Sequence, residues 1–221
     1  MSTLLTINVT NLESAAQNIF FFQQPAIYTG GAQVYSNSLF SQLLGNYDQT
    51  GTILTFQVNM QFYAGIQQAH STPKVGHSSG YSSASRPIDL APASGIANDW
   101  TTASVNPLGL TPPTSGSGVE PGAFRITTPV YDPPAIYNVG SAVNVNGGIV
   151  LSNFVIADPN SNTDCQPILT YYVATGNYTP GTVMNFTQSS TSAATCDFTG
   201  GYTIIDVALG ANGSWTVVDA Q

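Results

Sequence analysis

Gly51-Thr52-Ile53-Leu54-Thr55-Phe56-Gln57-Val58-Asn59-Met60-Gln61-Phe62 decides the fold class. Leu54, Phe56, Val58, Met60 and Phe62 are apolar, and Thr55, Gln57, Asn59 and Gln61 between them are polar. Successive side chains of a strand point to opposite faces, so this period of two predicts one buried face and one amide-rich face. Residues 4–9 and 18–23 read the same way. Residues 36–44 leave a second reading open: Tyr35, Leu39, Phe40, Leu43 and Leu44 fit a short helical face that Gly45-Asn46 would end.

Further along, strands are expected at 124–127, 135–139 and 142–145. Asn146-Gly147-Gly148 is a hairpin turn into 149–157, because such pairs tolerate the positive φ that tight hairpins require. Strands at 167–174, 182–187 and 202–209 follow, and a second Asn-Gly turn at 212–213 leads into 215–219. Short strands broken by Gly, Pro and Asn predict an all-β domain, an antiparallel β-sandwich of jelly-roll or immunoglobulin-like type spanning residues 1–221. The exception is 68–122, where Ser, Pro and Gly dominate and periodicity dissolves. Pro112-Pro113 and Ser115-Gly116-Ser117-Gly118 punctuate it. It is expected to be a long irregular excursion, either flexible or laid over a sheet edge, and Tyr81 and Trp100 favour partial order.

Composition narrows the function. The chain has 221 residues, 42% of them hydrophobic, enough to bury a core without staples. Charged residues are only 6%, against about 25% in ordinary soluble domains. Three Lys and Arg against eleven Asp and Glu give a net charge of −8. Lys74, Arg86 and Arg125 make no basic stripe, so neither nucleic acid nor an anionic membrane is an expected partner. Residues 1–10 carry no basic leader and alternate like a strand, so a cytoplasmic or non-classically secreted chain is expected. No apolar run approaches the ~18 residues of a membrane span. Cys165 and Cys196 leave two possibilities, a disulfide or two free thiols. Sequons at Asn8, Asn177, Asn185 and Asn212 are expected by chance in so Asn- and Thr-rich a chain.

Motifs of chemistry are sparse. Gly76-His77-Ser78-Ser79-Gly80 has the letters of a nucleophile elbow, but the residues after it will not start a helix, and only His70 and His77 are available as bases. Asp158, Asn160, Asn162 and Asp164 place oxygens at alternate positions, as in the first half of a calcium loop. Thr163 stands where such a loop needs Gly and Leu169 where it needs Glu, so an ion-free Asx-rich turn is the expectation and no cofactor is required. The remaining resource is aromatic. Tyr28, Tyr47, Tyr81, Trp100, Tyr131 and Tyr137 lie in or near stretches rich in amides and hydroxyls. Rings beside fixed polar groups suit a neutral polyhydroxylated ligand, and Tyr81, Trp100, Tyr131 and Tyr137 are the candidate ligand-binding residues.

Several stretches resemble a bacterial and fungal family typified by the rhizosphere-expressed protein of rhizobia. They are Asn18–Gln24, the alternating 54–62 strand, Ala157–Asn160, Tyr171–Val183 and Asn212–Val217. The resemblance implies a shared β fold and transfers no catalytic residue. The expected function is non-enzymatic, lectin-like binding of a neutral small molecule or glycan through end loops. A self-associating structural protein, a homo-oligomer, is the second expectation. An enzyme is the third, because acid–base groups are scarce.

Overall fold

The alternation at 54–62 does as its pattern requires: Leu54, Phe56 and Val58 are buried while Thr55 and Gln57 are exposed. This computed structural model describes residues 3–221. The first two residues of the 1–10 stretch weighed as a leader lie outside the described residues. In chain order the strands are β1 (Leu4–Asn11), β2 (Gln17–Gln23), β3 (Ile27–Thr29), β4 (Val34–Asn37), β5 (Phe40–Leu44), β6 (Leu54–Asn59), β7 (Tyr63–Ala69), β8 (Ser82–Pro87), β9 (Trp100–Val105) and β10 (Leu108–Leu110). They continue with β11 (Phe124–Thr128), β12 (Ile136–Val145), β13 (Gly148–Ile156), β14 (Ser161–Gln166), β15 (Thr170–Thr175), β16 (Val183–Met184), β17 (Ala194–Asp197), β18 (Ile204–Leu209) and β19 (Trp215–Ala220). Two short helices, α1 (Tyr47–Thr50) and α2 (Phe186–Ser190), are each opened by an Asn side chain accepting a backbone N–H. No helix among the described residues is long and apolar enough to cross a membrane.

The all-β expectation holds, in a sandwich-like arrangement of three sheets. One large sheet runs β16-β4-β13-β12-β6-β1-β18-β19, with β7 and β8 branching from β12. A five-stranded sheet, β10-β9-β11-β14-β3, and a four-stranded one, β17-β15-β2-β5, complete it. Pairing is mostly antiparallel, but β1 runs parallel to β18 and β9 parallel to β11. Two cores share the large sheet. Ile7, Phe56, Val58, Val143 and Val207 face Ile19, Phe21, Tyr171 and Val173 of the four-stranded sheet. Ile66, Tyr137, Val139 and Val155 face Phe124, Ile126 and Cys165 of the five-stranded one.

β12 links the two cores. Its pairing with β13 slips between Ser141 and Ala142, and the extra residue, Ser152, donates its hydroxyl to the Ser141 carbonyl. The bulge shifts the parity of β13 by one, so Val155 meets one core and Val150 the other. Gly140 sits beside this bulge, where a Cβ would lie 2.4 Å from the Tyr28 hydroxyl.

Three sequence expectations are corrected. The 68–122 excursion is irregular only in part, and ordered rather than flexible: it supplies the end of β7 and all of β8, β9 and β10, and buries Ile88, Ala91, Ala103 and Leu110. Residues 36–44 take the strand reading, because β4 and β5 each find a partner strand. Residues 182–187 are mostly not a strand, since Asn185 caps α2 two residues after Val183.

Candidate functional site

The segment from Pro73 to Gly80, inside the supposed excursion, crosses the end of the large sheet as a strap. Gly76 donates its N–H to the Val183 carbonyl and Val183 donates back to His77, while Ser79 donates to Gly181. An isolated bridge joins Ser78 to Thr182. A recess opens on each side of this strap.

The larger is a cleft of about 630 Å³ between β4, β16, the start of α2 and the strap. Val34, Tyr35, Val75, Met184 and Phe186 supply its apolar wall, and Gln33, Ser36, Asn185 and Thr187 supply amides and hydroxyls. Lys74 is its one charged lining residue. Tyr35 is braced by stacking on Phe154, with centroids 5.5 Å apart. Phe186 is held edge-on against Phe22 and Tyr172. The two rings are therefore braced by different sheets, Tyr35 by β13 of the large sheet and Phe186 by β2 and β15 of the four-stranded one.

The smaller recess, about 230 Å³, is lined by Asn37, Gln67, Ser78, Gly80, Ser83, Leu151 and their neighbours. Ser36 and Asn37, adjacent on β4, thus serve different recesses, as strand alternation requires. Asn37 donates from Nδ2 to Ser79 Oγ and to the Leu151 carbonyl. Asn138 donates from Nδ2 to the Ser79 carbonyl.

The four aromatic candidates do not form one site. Tyr137 is core, packed among Ile66, Val139 and Phe124. Tyr131 packs edge-on against it at 4.9 Å and donates its hydroxyl to the Ala157 carbonyl. Burial, then the Asp158 carboxylate, push its phenol above the ordinary tyrosine value. Trp100 is likewise structural: its Nε1–H donates to Thr127 Oγ1 at 2.7 Å, Arg125 lies 4.9 Å over its ring, and a Cβ on Gly116 would strike that ring. Tyr81 alone is well exposed, at 52%, and stacks on His70 with centroids 3.9 Å apart. It stands just past the strap, outside both sets of lining residues.

The other sequence candidates are also placed. Ser161–Gln166 is an extended strand rather than a calcium-type coil, so Asp158 and Asn160 lie in a turn while Asn162 and Asp164 follow along β14. Asp164 accepts from both Nε and Nη2 of Arg125, and Asn162 accepts from Thr127 Oγ1. The two Asp164 oxygens are thus engaged by the Arg125 guanidinium. No group of three His, Cys, Asp or Glu able to hold a metal occurs among the described residues. Cys165 and Cys196 are free thiols, buried in different cores on β14 and β17, so the disulfide alternative is excluded. After Gly76–Gly80 comes the strand β8 and no helix, and Ser78 Oγ donates to the Gly80 carbonyl.

Sequence reasoning missed Tyr35 and Phe186 as site residues, because Tyr35 was counted toward a helical face and Phe186 toward a strand at 182–187. The one available signal was Asn185 as a helix cap, which would have turned Phe186 out of strand register. No family model, curated protein or solved structure matches the chain.

Proposed function

We propose that the chain is a non-catalytic binding protein whose cleft beside β4 takes a neutral polyhydroxylated ligand, with a glycan as the ligand class. The lining of the cleft carries this reading. Its volume of about 630 Å³ falls within the ~300–1,000 Å³ of small-molecule sites, which combine an apolar wall with a few placed polar groups. The braced rings of Tyr35 and Phe186 offer surface to the C–H faces of a sugar. Gln33, Asn185 and Thr187 offer the donors and acceptors that hydroxyls require. No carboxylate lines the cleft, and Lys74 is its single charge, so neither a polycation nor a strongly anionic ligand has its partners there.

A glycan-array screen followed by calorimetric titration of the best neutral oligosaccharide tests the reading. Tyr35→Ala and Phe186→Ala are each expected to weaken binding about tenfold, the equivalent of ~1.4 kcal/mol. Binding indifferent to both substitutions, or no neutral glycan bound at all, would remove the cleft from consideration.

Self-association is the second reading, favoured by one observation. β19 ends the large sheet with Val217 and Val218 half or more exposed, the kind of edge that invites pairing with another copy. Sedimentation over a wide concentration range, without ligand, separates the two readings.

A further inference from the structure

Another recess, of about 370 Å³, opens where the chain links β6 to β7 and where it leaves β8. It shares no lining residue with either recess beside the strap. Met60, Phe62, Ile88 and Leu90 form its apolar wall, and Thr3, Gln61 and Asp89 supply its polar side chains. A smaller hollow of about 210 Å³ continues past Gln61, Ile88 and Asp89 to Asn98 and Pro113. The Asp89 carboxylate therefore stands at the junction of the two.

The hydrogen bonds around Asp89 decide what would fit. Backbone donors of the lining are spent within the chain: Met60 donates to the Thr3 carbonyl, Gln61 to Asn59 Oδ1, Ile88 to the Phe62 carbonyl and Asp89 to the Asn98 carbonyl. Gln61 Nε2 donates to the Phe62 and Ile88 carbonyls. Carbonyls only accept, so that amide has one orientation, and its Oε1 is left for a donor from outside the chain. Asp89 is exposed, and its Oδ2 accepts from the Asn98 N–H at 3.2 Å. None of the described Lys or Arg residues forms an ion pair with it, and no Lys, Arg or His lines either hollow.

The site is thus rich in acceptors, carries one negative charge and has an apolar wall. An anion would meet an uncompensated carboxylate, and a hydrocarbon would leave both acceptors without a donor. An ammonium brings donors and the opposite charge, and Phe62 and Met60 are surfaces on which a cation and its apolar carrier can lie. We propose that this recess binds a small organic amine, its ammonium donating to Asp89 and Gln61 Oε1 and its alkyl or aryl body resting on Met60, Phe62 and Leu90. The site uses none of the residues of the cleft beside β4, so it stands or falls independently of the glycan reading.

Methyl spectra of the ¹³C-methyl-labelled chain at low ionic strength test it, titrated with phenethylamine, hexylamine, phenethyl alcohol and phenylacetate. Saturable shifts of the Met60 and Leu90 methyl signals are expected with the amines. Phenethylamine should bind about fivefold more tightly than the alcohol, as one partly solvated charge pair allows, and phenylacetate should not bind. Rising salt should erase the preference for the amine. Asp89→Asn keeps an oxygen for the Asn98 N–H and should bring the amine to the level of the alcohol, whereas Tyr35→Ala should change nothing. If Asp89→Asn does not fold, the salt dependence of the unaltered chain decides. The proposal is overturned if neither amine moves these signals, if alcohol or phenylacetate binds as well as the amine, or if the preference survives salt or Asp89→Asn. Shifts confined to Lys74, Val75 and Thr187 would place the amine in the cleft and overturn it too.

Discussion

Phe56 and Gln57 are neighbours in the chain with opposite fates. Phe56 is wholly buried and stacks on Phe21 with centroids 4.1 Å apart and planes 8° from parallel. Phe56→Ala is therefore expected to cost about 3–5 kcal/mol in denaturant unfolding, through lost burial and the cavity left behind. Gln57→Ala, on the exposed face, should fall within about 0.5 kcal/mol of the parent. Similar costs for both would mean that the strand faces are misassigned. The cysteines give a second residue-level expectation. Burial pushes both thiols up to about 12, Cys165 with a hydrogen bond from Tyr28 opposing and Asp164 adding to the rise. Both thiols should resist Ellman's reagent in the native chain at pH 8 and react fully in guanidinium. Each folded thiol holds its proton above the pH at which the unfolded one loses it, so stability falls as pH rises from about 9 toward 12. A native chain that labels as fast as the unfolded one would contradict this. Periodicity made Phe56 legible in the sequence. Tyr137 fell within the strand expected at 135–139, but nothing in that short stretch told its face, and β12 turns it into the core rather than toward a ligand.

Elements were legible where side chains alternate and illegible where the backbone alone does the pairing. β8, Ser82–Pro87, has no buried residue, yet its main chain pairs along β7 from Tyr63 to Gln68. No composition rule marks a polar edge strand. In β9 the buried positions are Thr101 and Ala103, and Thr101 is admissible there because its hydroxyl donates to the Thr111 carbonyl. The strap was likewise read as a loop, since its partners at 180–183 lie a hundred residues away. The Arg125–Asp164 pair, the one ion pair among the described residues, ties these elements together. Arg125 on β11 grips both oxygens of Asp164 on β14, donates to the Gly118 carbonyl and covers Trp100 of β9. Arg125→Lys keeps the charge but loses the planar fork, and should destabilise by about 1–3 kcal/mol in urea unfolding. Arg125→Ala strands the Asp164 carboxylate at low exposure and should cost more, approaching the ~3 kcal/mol at which stripping buried pairs begins. A lysine variant as stable as the parent would show that the charge alone suffices.

At the scale of the whole molecule, the shared sheet decides how the chain comes apart. If each core belonged to its own sandwich, one could melt while the other stood. β12 prevents that, because Tyr137 and Val139 fill one core while Val143 and Val145 of the same strand fill the other. Its partner β13 runs beside it through both, with Val155 in one core and Val150 packed against the other across the Ser152 bulge. Fraying one core would leave backbone groups of the shared strands unpaired at the border of the other. Unfolding is thus expected to be a single cooperative transition, with calorimetric and van't Hoff enthalpies equal. The chain carries its own reporters, since Trp100 lies in the five-stranded sheet and Trp215 packs against the core under the four-stranded one. Trp100→Phe leaves fluorescence to Trp215 and Trp215→Phe leaves it to Trp100. Each transition should coincide with circular dichroism measured on the same variant. A fluorescence midpoint that departs from the dichroism midpoint in either variant would show two cores melting separately, and would mean that the bulge joins their strands without coupling their stability.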